Sequence, residues 1–180
     1  MKSFFLIISF IISISASAQF RSANLTAAGL TCAMCTRAIN IALDKLPFVE
    51  SVKPDIKSSS FDIVFKAGKP VNFDAIKTAV EGAGFSVAKL AVKTDFKNLA
   101  VANDAHVVIG GKTFHFLKVP AGTLNGEKSV VIVDKNFVSL KEYKKYAAAS
   151  TMACVQTGKS AACCEGSGIT AGSRIYHVTI

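Results

Sequence analysis

The sequence lacks the motifs on which the common enzyme classes depend. It has no Ser/His/Asp grouping, no glycine-rich loop spaced to hold phosphate, and no paired carboxylates placed for acid and base chemistry. Its 21 Lys and Arg residues outnumber the 12 Asp and Glu residues, but no tight basic run is interleaved with aromatic residues. We therefore expect neither enzymatic activity nor nucleic-acid binding, and the net charge of +9 indicates a solvated basic surface.

Only one long hydrophobic run is present, and it is too short for a transmembrane helix. Lys2 supplies a positive start, Phe4 to Ile14 the apolar stretch, and Ala16 to Ala18 the small residues of a cleavage site. No second such segment follows. The cleavage point lacks the cysteine that a lipid anchor would require. Residues 1–18 are predicted to be a signal peptide that is cleaved near Ala18–Gln19. The mature chain would then be periplasmic or secreted, with no membrane span.

The absence of an internal repeat excludes an array of identical units. In residues 19–93 the hydrophobic period changes between strand and helix spacing in a regular order, which predicts an α+β domain with a ferredoxin-like βαββαβ arrangement. Asn72 is predicted to cap the second helix and Gly84 to end it. The predicted elements are a strand at 21–27, a helix with Ala38, Ile39, Ala42, Leu43 and Leu46 on one face, strands at 49–53 and 61–65, a helix with Phe73, Ile76, Val80 and Ala83 on one face, and a strand at 86–92.

The second half has a different character. Residues 94–104 are predicted to form a linker, and residues 105–180 a small, mostly-β domain such as an OB-like five-stranded barrel with one helix. Glycines are expected to separate its strands at 110–111 and 121–126, and residues 157–172 to form a loop. The predicted elements are strands at 106–109, 113–119, 130–133 and 174–180, and a helix at 140–149 with Leu140, Tyr143 and Tyr146 toward a core.

Cys32 and Cys35 lie at the junction of the first predicted strand and helix. Two thiols three positions apart across a helix start can turn both sulfurs toward one point, which suits a soft ion, and Cu(I) fits best. The free N–H groups and positive end of the helix dipole lower thiol pKa values and favour the metal-binding thiolate. Thr31 is predicted to cap this helix. Binding should release protons and weaken in acid.

The segment Gly29–Cys35, with the sequence GLTCAMC, resembles the metal-binding loop of the heavy-metal-associated (HMA) domain family. That family includes copper chaperones, N-terminal domains of metal-transporting P-type ATPases and the periplasmic mercury-binding protein. The resemblance covers about residues 20–93 and includes family core positions. It departs from the family pattern at Leu30, where Met is usual, and at Phe48, where Gly is common. The matching core positions are Leu43, Pro47, Val49, Ile76, Val80, Gly84 and Phe85.

The resemblance implies a carrier that holds an ion between Cys32 and Cys35 and passes it on by thiolate exchange. Phe85 would lie beside the site, and Leu30 would fill the apolar pocket under the loop. The implied partner is a P-type ATPase or another thiol-rich carrier. Hg(II) is the nearest alternative to Cu(I), because the same two thiolates bind it, whereas Zn(II) normally requires four ligands.

Two other functions remain open for the pair. The spacing also occurs in thiol–disulfide exchange proteins, and an oxidising compartment permits that chemistry. Thioredoxin-like proteins, however, usually place an aromatic residue where Thr31 stands and carry a cis-proline loop much later in the chain. The only prolines that could form such a loop here are Pro47, Pro54, Pro70 and Pro120. The second is an interaction module in which the first domain senses metal and residues 105–180 bind a partner.

The remaining cysteines are Cys154, Cys163 and Cys164, in or beside the predicted glycine-rich loop. They are expected either to form one disulfide, from Cys154 to Cys163 or Cys164, or to build a second soft-metal site together with Met152. The three histidines, His106, His115 and His177, show no ligand spacing along the chain. They are therefore predicted to be ordinary strand residues.

Overall fold

The structure, a computed structural model, describes residues 20–30, 32–162, 164 and 169–180. The predicted signal peptide and the positions of Thr31 and Cys163 lie outside these residues. None of the described helices is long and apolar enough to cross a membrane. The described elements are β1 (Phe20–Ala28), α1 (Ala33–Asp44), β2 (Val49–Asp55), β3 (Ser60–Phe65), α2 (Phe73–Gly82), β4 (Ser86–Val101), β5 (His106–Ile109), β6 (Lys112–Phe116), β7 (Gly122–Ile132), α3 (Leu140–Ala147), α4 (Cys154–Thr157) and β8 (Ile175–Thr179).

The first half has the predicted βαββαβ order. Its strands lie side by side as β2-β3-β1-β4, and every neighbouring pair is antiparallel. Asn72 is the N-cap of α2, where its side chain accepts a hydrogen bond from the backbone N–H of Ala75 at 3.1 Å. Helix α1 contacts β2 and α2, and α2 contacts β4. The prediction of a ferredoxin-like first unit is confirmed.

The two helices of this unit bury the apolar faces that their sequence spacing predicts. Ile39 and Leu43 of α1 are fully buried, as are Phe73, Ile76 and Val80 of α2. Ala38 was expected on the inner face of α1 but is exposed. Thr36, one turn before Ile39, is buried instead. The core of the unit therefore forms between these helix faces and the sheet.

Strand β4 is longer than the sequence predicts. Residues 94–101, expected to be part of a linker, form its second half and pair with β7. The pairing register shifts between Phe96 and Leu99, and Asn98 between them has a positive φ of 49°. This irregularity interrupts the strict alternation that identifies a strand in a sequence, so the segment looked like a connector.

The second half continues the sheet of the first and does not confirm the predicted OB-like barrel. The described strands form one open eight-stranded sheet in the order β2-β3-β1-β4-β7-β8-β6-β5. Strands β6 and β8 are parallel, and the other described pairs are antiparallel. Residues 122–126, expected to separate two strands, lie within β7 because they pair with the far end of β4. Whether the two halves are separate domains stays a prediction.

Alternation along β6 and β8 gives this part of the sheet two different faces. Phe114 and Tyr176 pack on one face against Phe73 of α2, with ring centroids 6.3 and 5.2 Å from it. His115 and His177, each one position further along, therefore lie on the opposite face. That face carries a second apolar cluster together with Cys154 and Val155 of α4. Tyr146 of α3 packs against this cluster as predicted, but Leu140 is exposed.

Arg174, just before β8, joins the first half of the chain to the second. Its guanidinium donates two hydrogen bonds to Asp74 of α2, at 3.1 and 3.2 Å, and one to Asp134 at 2.9 Å. The Tyr176 hydroxyl donates to Asp74 at 2.8 Å. Burial alone would raise the pKa of Asp74, but the bonds and charge of Arg174, with the Tyr176 bond, outweigh it and lower the pKa.

Asp74→Asn is expected to lower the free energy of unfolding by about 1–2 kcal/mol at pH 7, because it removes the charge that Arg174 pairs with. The folded-state pKa of Asp74 is below the unfolded value, so the stabilisation is present above about pH 4 and is lost as pH falls through the folded pKa. The difference between parent and variant should therefore shrink in acid. Urea unfolding at pH 7 and pH 3 measures it. The exposed Glu50→Gln serves as control, and a difference that grows in acid would contradict the assignment.

Candidate metal-binding site

Helix α1 begins immediately after Cys32, and this cysteine is its N-cap. The backbone of Cys32 is extended, with φ −154° and ψ 162°, and its Sγ accepts a hydrogen bond from the N–H of Cys35 at 3.4 Å. The prediction that Thr31 caps the helix is thus wrong about the residue. A cysteine occupies the N-cap and supplies the acceptor, so the orphan N–H of the helix start points at a sulfur.

The two thiols of Cys32 and Cys35 lie against each other. Their Sγ atoms are 2.8 Å apart without a disulfide between them, and Cys32 is exposed while Cys35 is partly buried. The hydrogen bond from the Cys35 side chain lowers the pKa of Cys32, and the backbone N–H of Cys35 adds to this effect. The arrangement therefore favours a thiolate at the exposed position, which is the form that binds metal and attacks disulfides.

An ion held between these sulfurs requires them to separate. With metal–sulfur bonds of about 2.3 Å, the sulfurs stand about 3.8 Å apart in tetrahedral geometry and about 4.6 Å apart in linear geometry. The observed 2.8 Å is shorter than both. Since Cys35 is anchored in the first turn of α1 and Cys32 is exposed, rotation of the Cys32 side chain is the simpler way to open the pair.

The residues predicted to shape the site lie beneath its loop. Leu30 and Phe85 are both partly buried and pack against the main core. Gly29 has φ +85°, which favours glycine, and a Cβ built on it would lie 3.8 Å from Cδ1 of Phe85. The Phe85 ring therefore supports the backbone that leads into Cys32. Met34, between the two cysteines, is 73% exposed and stays outside this packing.

The structure brings two of the other predicted residues, Cys154 and Cys164, together with two histidines. Cys154 Sγ lies 3.7 Å from Nε2 of His106 and 3.6 Å from Nδ1 of His115. Cys164 Sγ lies 3.6 Å from the same Nε2 of His106. Met152 packs against the apolar cluster that contains both cysteines. The predicted disulfide from Cys154 stays a prediction, as does the part of Cys163, which lies outside the described residues.

Sequence reasoning missed the histidines because strand pairing, not chain spacing, brings them together. His106 pairs with His115 across β5 and β6, and His115 pairs with His177 across β6 and β8. The rings of His106 and His115 stack with centroids 4.1 Å apart. Burial is the main cause that lowers the pKa of His115 to about 4, so its imidazole is neutral at neutral pH. The one signal in the sequence is that each of the three follows a hydrophobic or small residue within a strand run.

The histidine and cysteine cluster is remote from Cys32 and Cys35. Strand β6 is the fourth strand from β1 in the sheet, and four strand spacings span about 19 Å. His115 also lies on the face of the sheet that α2 does not cover. Among the described residues, then, the two groups of predicted site residues form separate places and not one shared site.

Comparisons with known proteins agree with the geometry of the first site. Residues 25–86 match the sequence model of the heavy-metal-associated domain, a segment that contains Cys32 and Cys35. No curated protein sequence matches the chain.

Similar solved structures cover the same part of the chain. A CopZ metallochaperone is 24% identical, with 37% of this chain and 98% of that chain covered and a TM-score of 0.35. The yeast copper transporter domain Ccc2a is 29% identical, with 36% and 88% covered and a TM-score of 0.33. Oxidized MerP from Ralstonia metallidurans CH34 is 22% identical, with 38% and 97% covered and a TM-score of 0.35. Residues 25–86 of this chain are a heavy-metal-associated domain.

Proposed function

We propose that this chain is an exported carrier that captures a soft metal ion, Cu(I) in the first place, between Cys32 and Cys35 and hands it to a thiol-rich partner. The observation that carries the proposal is the pair of cysteine sulfurs 2.8 Å apart at an exposed helix start. A helix N-terminus stabilises thiolates, and thiolates select soft ions. The match of residues 25–86 to the heavy-metal-associated domain supports the same reading.

The choice of ion follows from the number of ligands. Within the described residues, the one group of three or more His, Cys, Asp or Glu side chains placed to hold an ion is His106, His115 and Cys154, away from Cys32. Cys32 and Cys35 therefore offer two thiolates without a third protein ligand of those types. Two-thiolate coordination suits Cu(I), and Hg(II) is the second candidate at the same pair. Zn(II) would require further ligands from a partner.

Transfer by ligand exchange requires that a partner can reach the ion. Cys32 is exposed and Met34 beside it is 73% exposed, so an incoming thiolate meets little obstruction from the described residues. A third sulfur can bind before the first leaves, and the ion then passes without being free in solution. The partner we propose is the metal-binding domain of a P-type ATPase or another carrier with paired cysteines. We propose that this exchange takes place in the periplasm or outside the cell, because residues 1–18 are predicted to be a cleaved signal peptide.

The test is a transfer measured against free release. The reduced protein is loaded anaerobically with Cu(I) and mixed with a P-type ATPase metal-binding domain in the presence of a tight Cu(I) chelator. We expect the acceptor to gain copper faster than the chelator does, because exchange proceeds through a shared complex. An acceptor with both cysteines changed to serine is the control. Copper that reaches acceptor and chelator only at the rate of spontaneous release would contradict the carrier function.

Thiol–disulfide exchange is the second candidate, favoured by the lowered pKa of the exposed Cys32 and by the nearness of Cys35 as a resolving thiol. In that chemistry the Cys32 thiolate attacks a substrate disulfide, and Cys35 then releases the reduced substrate by forming the Cys32–Cys35 disulfide. Catalysed insulin reduction that is lost in Cys35→Ser would support it. Absence of such catalysis, together with copper transfer, would leave the carrier function.

A further inference from the structure

A second set of metal-ligating side chains converges in the half of the chain that the carrier function does not use. It consists of Cys154 in α4, Cys164 in the following segment, His106 in β5 and His115 in β6. We propose that these four residues form a closed tetrahedral Zn(II) site with two thiolate and two imidazole ligands. The proposal is independent of Cys32 and Cys35.

Three sulfur–nitrogen distances among the four side chains match those expected around one tetrahedral ion. With Zn–S bonds of about 2.3 Å and Zn–N bonds of about 2.05 Å, tetrahedral geometry places sulfur and nitrogen ligands about 3.6 Å apart. The three sulfur–nitrogen distances here are 3.7, 3.6 and 3.6 Å. The ligand atoms of His106, His115 and Cys154 all lie within 4.8 Å of one another. Because the His106 and His115 rings stack with centroids 4.1 Å apart and a ring nitrogen binds a metal in the plane of its ring, these rings must tilt relative to each other when an ion enters.

Asp104 orients the His115 ring so that the nitrogen facing Cys154 is the one with a lone pair. Nε2 of His115 donates to Oδ1 of Asp104 at 3.0 Å, which leaves Nδ1 to face Cys154. Nε2 of His106 faces both sulfurs. Metal-ligating histidines are typically held in this way by a carboxylate or carbonyl on the far side of the ring.

Asp104 is itself held in an unusual conformation by its neighbours. Its φ is +62°, in the left-handed region, and its N–H donates to the carbonyl of Phe116 at 2.9 Å. Asn103 donates to Oδ2 of Asp104 at 3.0 Å and accepts the N–H of Lys118 at 2.7 Å. Both carboxylate oxygens are thus engaged, and the turn before β5 is fixed to the end of β6. Backbone strain of this kind is retained where the surrounding contacts require one orientation.

The cluster is buried, as a closed site should be. Cys154, Cys164 and His115 are 0–1% exposed, and the cysteines lie among apolar side chains of which Leu117 and Ile175 are examples. Close by, Nε2 of His177 is buried without a hydrogen-bond partner among the described residues, although Nδ1 of that ring bonds Asp134. Buried polar atoms are almost always paired, so this one is a further sign of a polar site.

The ligand set decides the ion. Two thiolates with two imidazoles in a closed four-ligand shell is the composition of structural Zn(II) sites, whereas Cu(I) favours fewer, softer ligands. Binding replaces the two thiol protons by the ion, so Zn(II) with two thiolates is neutral and two protons are released. The ion would join β5 and β6 to α4 and to Cys164.

The test uses the full chain with Cys32→Ser and Cys35→Ser, so that the first site cannot contribute. This parent is reduced, freed of metal and titrated anaerobically with Co(II). We expect one equivalent to bind with the visible absorption of tetrahedral Co(II) and a thiolate charge-transfer band, and Zn(II) to displace it. X-ray absorption of the Zn(II) form should show two sulfurs at about 2.3 Å and two nitrogens at about 2.0–2.1 Å. These measurements need no change in the cluster itself.

Variants then assign the ligands. His106→Asn, at a half-buried position, is expected to weaken binding at least about a hundredfold, and Asp104→Asn about 10–100-fold. Met152→Leu, beside the cluster but outside the proposed ligand set, should leave affinity unchanged. No tetrahedral Co(II) spectrum in the folded, reduced parent would overturn the proposal. So would a shell of sulfur alone, binding of Cu(I) but not Co(II) or Zn(II), or affinity that His106→Asn leaves intact.

Discussion

Replacing Cys32 by serine is expected to weaken Cu(I) binding at the exposed pair by at least about a thousandfold. Loss of a residue that merely orients a ligand already lowers metal affinity about 10–100-fold, and this change removes one of only two ligands. The serine hydroxyl is a hard oxygen that stays protonated, so it does not replace the soft thiolate. Chelator competition on the reduced protein measures the change as the loss of one tightly bound equivalent.

The control for this experiment is Met34→Ala. Its thioether lies between the two cysteines in sequence but is 73% exposed, so its removal should change affinity by no more than about threefold. Equal binding by Cys32→Ser and the parent would exclude the proposed ligand pair. A large loss in Met34→Ala would instead identify the thioether as a third ligand.

The unsubstituted protein should also lose Cu(I) in acid. Hydrogen bonds from the side chain and backbone of Cys35 lower the pKa of Cys32, so its thiolate persists to lower pH than an ordinary thiol. Protons compete with the ion for the sulfur only below that pKa. Affinity is therefore expected to be highest at alkaline pH and to fall in acid, and protonation of Cys32 is expected to add to that fall only as the pH drops through its lowered pKa.

Phe73→Ala is expected to lower the free energy of unfolding by about 3–5 kcal/mol, a large share of the 5–15 kcal/mol typical of a folded domain. Phe73 is fully buried, and its ring lies 5.0 Å from that of Phe20 and 5.2 Å from that of Tyr176, both edge to face. Truncation removes these contacts and leaves a cavity between α2 and the sheet. Urea unfolding followed by circular dichroism measures the change.

The matched control is Leu140→Ala, because Leu140 is a large apolar residue that is 60% exposed, and we expect a change within about 0.5 kcal/mol. A loss below about 1 kcal/mol in Phe73→Ala would contradict the packing described. The same curves test the division into domains. Since Phe73 touches residues of both halves, one transition should move as a whole, whereas two transitions of which only one moves would support separate domains.

The sequence was sufficient for the first half because its signals are local. Alternating apolar residues give β3, the spacing of Phe73, Ile76 and Val80 gives α2, and Asn72 marks where that helix begins. The cysteine motif could likewise be found without a structure, since ligand spacing and helix start are adjacent in the chain. Only the identity of the N-cap differed, because a thiol accepts the hydrogen bond for which a hydroxyl was expected.

The pairing of β4 with β7 could not be predicted, because an irregularity interrupts the strand pattern in the sequence of both strands. The register shift between Phe96 and Leu99 breaks alternation in β4, and its partner opposite Phe96 is Gly126, with φ +72°. Asn98 and Gly126 looked like a linker and a turn when each was considered alone. They are two sides of one irregularity in a continuous pair of strands, visible only when the strands are placed together.

The grouping of His106, His115 and His177 could not be predicted for the same reason, because it depends on which strands pair. His115 and His177 are 62 positions apart in the chain but directly paired, because β6 and β8 are parallel neighbours. Ligand spacing is informative only where ligands share one local element. When they come from two strands, a short helix and a residue beyond it, the topology must be known first, and that topology differed from the barrel that the sequence predicted.

The length of β4 also determines which strands form the edges of the sheet. In the strand order β2-β3-β1-β4, the first unit on its own would present β4 as an open edge of unpaired N–H and C=O groups. Here β7 runs along that edge from Leu90 to Val101 and occupies those groups. The second half thereby moves the open edge on this side of the sheet from β4 to β5, a strand of only four residues, His106–Ile109, and short edge strands pair less readily with other chains.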